Sequence, residues 1–154
     1  MTWFDAIKPL ALMILIGVPM SVPVSAQTPE ITGAWAARSY VMNGGAAHRA
    51  EGRIFFTESD WQVVYFVVDE AGIVRRGSAE GGTYTLEGNT LIFLHLHHLS
   101  TGAAMDGLEE APLRMVARGA EDAVEERSTV RVEGDRLVLG FPSGNRLIFT
   151  RSSH

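Results

Sequence analysis

The chain has 154 residues, no cysteine and a formal net charge of -5. That length suits one domain, and the missing cysteines exclude disulfides, thiolate catalysis and cysteine metal sites. An acidic chain whose one basic doublet is Arg75-Arg76 has no stripe with which to bind nucleic acid.

Residues 1–26 carry the three-part pattern of a secretory signal. Lys8 and the amino terminus supply positive charge, LALMILIGV over 10–18 is the apolar run, and Val24-Ser25-Ala26 ends on small residues. The run is far short of the ~20 apolar residues that span a bilayer. The expectation is cleavage after Ala26, a periplasmic or secreted protein, and no stable membrane anchor afterwards. Residues 27–154 then form one domain, large enough for a core without disulfides or metals.

After a polar lead-in over 27–32, the chain reads as strand, turn, strand. A first strand covers 34–42, followed by a Gly/Ala-rich loop over 43–50. Segments 53–57 and 61–69 make a hairpin, the second arm (WQVVYFVVD) dense in β-branched and aromatic residues. A turn at 70–72 leads to a short return over 73–76. Gly81-Gly82 opens a new strand over 83–86, and Glu87-Gly88-Asn89 turns into the longest strand, 90–99. Segment 100–112 is a loop, 113–117 a short strand and 118–123 a solvated charged loop. The strands 124–133 and 136–141 meet across Gly134-Asp135, a good two-residue hairpin turn, and 146–151 closes the chain. Eight to ten short strands and no helical apolar stripe imply an all-β fold, a small antiparallel up-and-down barrel or a sandwich.

Several motifs sharpen this reading. Gly33-Ala34-Trp35 opens the first strand and Arg151 closes the last. Gly82-Thr83-Tyr84-Thr85-Leu86 runs into Glu87-Gly88-Asn89-Thr90-Leu91, and Val132 to Leu139 contains Gly134-Asp135-Arg136-Leu137. In order and spacing these resemble bacterial lipocalin-like domains of the lipocalin and fatty-acid-binding-protein superfamily. The resemblance covers most of residues 31–151. It implies an up-and-down barrel in which Trp35 plugs one end and Arg151 packs across it, with Gly33, Trp35 and Arg151 as a structural signature. It also implies a binding protein for a small apolar or amphipathic molecule. The T-D-Y motif of the large lipocalins is absent, and 100–123 is irregular.

The histidine-rich strand 90–99 holds His95, His97 and His98. A strand period of two puts His95 and His97 on one face and His98 on the other. Two imidazoles can share a metal, but a catalytic zinc site wants a third protein ligand, and no metal or other cofactor is expected. The carboxylate pairs Glu109-Glu110, Glu121-Asp122 and Glu125-Glu126 read as solvated loop charge, and no nucleophile elbow or phosphate loop is present. No catalytic residue is assigned. Trp35, Phe55, Tyr65, Tyr84, Phe93 and Phe149 could line a cavity or fill a core. The ligand-binding expectation rests on Trp35, Tyr65, Tyr84, Phe93, His95 and His97. Two alternatives stay open: an isomerase or lyase on the same barrel, using His95, His97 and Tyr84, and an envelope-associated interaction domain without a ligand.

The signal reading makes a direct prediction. Amino-terminal sequencing of the exported protein should begin at Gln27; an intact Met1 in the soluble exported fraction would overturn it.

Overall fold

A computed structural model describes residues 28–152; the segment 1–26, expected to be a signal, lies outside them. Nine strands follow in order: β1 Gly33–Val41, β2 Ala47–Phe56, β3 Asp60–Val68, β4 Val74–Glu87, β5 Thr90–Gly102, β6 Ala111–Ala117, β7 Val124–Glu133, β8 Arg136–Gly140 and β9 Arg146–Arg151. A 3-10 turn, Ala120–Asp122, separates β6 from β7. The sheet order is β4-β3-β2-β1-β9-β8-β7-β5-β6, and a β4–β5 pairing closes the ring. The result is an antiparallel barrel of eight strands with β6 outside the closure.

Two differences from the sequence reading stand out. The Gly81-Gly82 pair does not end a strand: β4 runs through it as one 14-residue strand. Segment 100–112 is also less of a loop than expected. β5 extends to Gly102, and β6 starts at Ala111 and pairs with β5 end to end with β7. Glycine punctuates weakly when cross-strand partners on both sides hold the backbone extended.

The core is sorted by the two-residue strand period. Trp35 and Ala37 of β1, Ile54 and Phe56 of β2, Trp61 and Val63 of β3, and Leu91 and Phe93 of β5 are buried inside the ring. They meet Leu137 and Leu139 of β8 and Leu147 and Phe149 of β9.

One end of this barrel is closed. Gly33 takes φ +112°, a conformation that costs glycine little and other residues much, and it turns the lead-in so that Ile31 lies buried beneath the ring. The Trp35 indole, fully buried, donates to the Ile31 carbonyl at 2.7 Å. Arg151 is its cross-strand partner, and the guanidinium carbon sits 4.0 Å from the indole centroid. The same guanidinium donates to the carbonyls of Thr32 at 3.2 Å and Glu30 at 3.4 Å. First strand, last strand and lead-in are thus tied at one point. Arg151→Ala should cost about 1–2 kcal/mol through lost cation–π stacking and packing, read as a lower urea midpoint. Arg151→Lys should recover only part, because an ammonium cannot stack as a plane. A midpoint unchanged in Arg151→Ala would mean the plug is held by Trp35 and Ile31 alone.

Candidate ligand site

The half of the barrel away from Trp35 is polar inside. Glu80 of β4 points inward with Ser78, which donates to its Oε1 at 2.8 Å. Its other oxygen, Oε2, lies 3.0 Å from Nδ1 of His95 and 3.2 Å from Nδ1 of His98. All three side chains are largely buried, at 18%, 14% and 22% exposure. Nε2 of His98 meets the Ser100 hydroxyl at 2.8 Å.

This arrangement corrects the expected facing of the histidines. His95 and His98 share the inner face, and His97 is exposed on the outside. The cause is a β-bulge. Gly81 pairs with His97 while the next residue, Gly82, pairs with His95, so Leu96 is an extra residue in β5. A bulge resets the alternation beyond it, which turns His98 inward in place of His97. Gly82 makes the bulge possible: a Cβ there would collide with the Leu94 carbonyl oxygen and lie 3.1 Å from the Leu96 nitrogen. Arg118 donates its backbone N–H to the Leu96 carbonyl at 2.8 Å and holds the bulged residue from outside.

Burial works against the Glu80 charge and by itself would raise its pKa. Hydrogen bonds from His95 and Ser78 outweigh it, helped by the two imidazoles in their protonated form; the carboxyl falls from 4.5 to about 2. Burial, reinforced by Tyr40 and Glu80, pushes the Tyr65 phenol above its ordinary range and keeps it protonated. No group of three His, Asp or Glu side chains among the described residues is arranged to hold a metal ion: Nδ1 of both histidines is turned onto the carboxylate.

Two partly enclosed cavities adjoin the cluster. One, of about 180 Å³, is walled by Tyr40, Tyr65, Ser78, Glu80, His98 and Ser100 among others. The second, of about 40 Å³, lies deeper, between Trp61, Tyr65, Glu80, Phe93, His95 and Phe141. The 103–110 loop covers this end of the barrel. Arg76 ties it down through the carbonyls of Ala103 and Glu109, both at 2.6 Å, and His48 meets the Asp106 carbonyl at 2.7 Å. The wall is incomplete beside the histidines. β7 pairs with β8 only from Thr129 onward. Val124, the cross-strand partner of inward-facing His95, is 49% exposed.

The other expected ligand residues divide between the two ends. Tyr65 and Phe93 wall the inner cavities. Trp35 lies in the closed end under Arg151. Tyr84 packs edge-on against Phe56 at 5.2 Å and donates to the Thr57 carbonyl at 2.6 Å, near the closed end. Phe55 faces outward and is 45% exposed, and Phe149 is core. Sequence reasoning missed Glu80, because the strand was expected to start after the glycines. Extending 83–86 backward by twos from Tyr84 through Gly82 reaches Glu80 and Ser78, and that parity was the available signal.

No protein-family description and no curated protein matches the sequence. Among solved structures, a lipocalin-like protein from Bacteroides uniformis is similar at 14% identity and a TM-score of 0.46, over 79% of this chain and 97% of that one. The chain's own strand pairing makes it an antiparallel eight-stranded barrel, with Trp35 under Arg151 at one end.

The depressed Glu80 pKa has a defined consequence. A carboxylate whose folded pKa lies below its unfolded value stabilises the fold above the unfolded value, and that contribution is lost as pH falls toward the folded one. Glu80→Gln should therefore be less stable than wild type, by as much as about 3 kcal/mol above pH 4.5. The gap should close between pH 4.5 and 2. Chemical denaturation across that range is the measurement. A gap that does not change with pH would show that Glu80 is not ionised in the fold.

Proposed function

We propose that the protein is exported and binds a small amphipathic molecule inside the barrel, with the polar end of the ligand on the Glu80–His95–His98 cluster. One observation carries this reading: a charged, hydrogen-bonded cluster sits on the inner wall of a barrel whose other half is apolar, and it borders open space. Ligand sites are concave, mostly apolar and fitted with a few convergent polar groups. The 180 Å³ cavity suits a compact ligand, since ~150 Å³ is enough to admit benzene into an engineered apolar cavity. Long-chain ligands are too large for it. The aromatic floor of Trp61, Tyr65 and Phe93 supplies the apolar contact. Export rests on the pattern of the 1–26 segment.

Native mass spectrometry of the protein exported by its own host tests the reading. The wild type should carry a small-molecule adduct. Ser100→Leu, which fills the cavity beside His98, should lose it while keeping the barrel's circular dichroism. A wild type with no adduct would overturn the reading, and so would an adduct retained equally in the filled variant.

A further inference from the structure

Within the cluster the two histidines are not equivalent. His98 is satisfied at both nitrogens, by Glu80 and by Ser100. His95 is satisfied only at Nδ1; its Nε2 is buried with no partner. A second ring, Trp61, is 5% exposed, and its Nε1 is also without a partner. The two rings meet edge to face at 5.0 Å and wall the same 40 Å³ cavity. Buried polar atoms are nearly always hydrogen-bonded, and leaving one unpaired costs ~1–3 kcal/mol. Two such atoms on adjoining walls mark a place where a partner belongs.

Their chemistry specifies that partner. Indole N–H is a donor only. Nδ1 of His95 must carry a proton to bond the Glu80 carboxylate, and in the neutral form of the ring this leaves Nε2 as an acceptor. One group that accepts from Trp61 and donates to His95 satisfies both, and a neutral hydroxyl does this with a single oxygen. A carboxylate cannot donate to Nε2, and it would meet the negative charge already on Glu80. The groups that could offset that charge are engaged or distant. Arg76 on β4 is held by the Ala103 and Glu109 carbonyls, and Arg114 on β6 is exposed to solvent. β7 adds a second carboxylate, Glu126, opposite Phe93.

Size fixes the rest of the ligand. The inner cavity has about the room of one water, for which ~30 Å³ is the liquid volume, so it holds the hydroxyl and little else. The body of the ligand must lie in the adjoining 180 Å³ space, with which it shares Tyr65 and Glu80. The walls around the hydroxyl include Trp61, Tyr65, Phe93 and Phe141. We infer that the barrel selects a compact neutral hydroxyl compound, its oxygen bridging Trp61 Nε1 and His95 Nε2. This rests on the binding reading above and narrows it: simple carboxylic acids are the wrong chemistry for this interior.

Three probes of similar size separate the possibilities: phenol, toluene and benzoate, titrated into the exported, purified protein. Binding is followed by the Trp61 indole N–H resonance in a nitrogen–proton NMR spectrum, the signal identified by its loss in Trp61→Phe. Phenol should bind at least tenfold tighter than either toluene or benzoate and should shift that resonance. In Trp61→Phe, followed by displacement of an apolar dye, phenol and toluene should fall within about twofold of each other. Equal binding of phenol and toluene to the wild type would overturn the hydroxyl inference and leave the binding reading standing. Tighter binding of benzoate would overturn the inference in favour of an anion site. Failure of all three to bind, with no change in the indole signal, would remove this inference and the binding reading together.

Discussion

The polar interior depends on one extra residue. Without the bulge at Leu96, β5 would keep strict alternation and point His97 inward and His98 outward. Glu80 would then lie opposite His97 in place of His98, and Leu99 would take the inward place of Ser100. Three sequence features combine to place the bulge. Gly82 lets the β5 backbone approach where a Cβ would strike the Leu94 carbonyl. β4 pairs with β5 on both sides of the slip, from Arg76 to Glu87, and holds it in register. Arg118, leaving β6, bonds the Leu96 carbonyl that the bulge displaces. Bulges re-aim side chains where a regular ladder cannot, and here the re-aimed side chain is a histidine.

The barrel divides its work along its axis. At the closed end large apolar side chains fill the space. Trp35, Phe149, Leu91 and Leu137 are buried to 2% exposure or less, and Arg151 pins the chain ends across the indole. That end supplies the stability a chain without disulfides must find in packing. At the other end the same inward positions are taken by Tyr40, Tyr65, Ser78, Glu80, His98 and Ser100, and they enclose space. A small barrel can fill its interior or hold one small ligand; this one fills one half and leaves the other half open.

How much of this was legible in the sequence follows from which forces are local. Turn chemistry is local, so hairpins such as Gly134-Asp135 and the strands around them stand within a residue or two of their predicted bounds. The Gly33–Trp35 and Arg151 markers sit at fixed places in the chain and announced a plug that strand pairing then assembles. Facing is not local beyond a bulge. The period of two correctly groups Leu91, Phe93 and His95, then fails at His97, because the slip is set by Gly82 on a neighbouring strand. Glu80 was hidden for a related reason. Two glycines look like a chain break when read alone, yet they are a passage for the partner backbone when read against β3 and β5. The outer apolar side chains, among them Phe55, Val64 and Phe66, belong to a similar class. Their alternation with Ile54, Val63 and Tyr65 is plain, but composition does not say which set is inside.

The energetics of the cluster argue that it is kept for something other than folding. Burying a carboxylate costs several kcal/mol before any partner is found, and apolar replacements of buried ion pairs are often neutral or stabilising. The surrounding positions could accept such replacements, since the closed half of the same barrel is built from them. Glu80 is held with near-complete satisfaction: two imidazole N–H groups on one oxygen and a serine hydroxyl on the other. A network finished to that degree on one side yet left open at His95 Nε2 and Trp61 Nε1 is not a generic way to stiffen a core. Stiffening requires closing every bond, because a partly satisfied network is worse than an apolar one. An open pair of bonds facing a cavity is what a site needs if the missing partner arrives from outside. The depressed Glu80 pKa fits the same logic. A carboxylate held charged fixes the proton of His95 on Nδ1, and so fixes which kind of hydrogen bond the far side of the ring can offer a ligand.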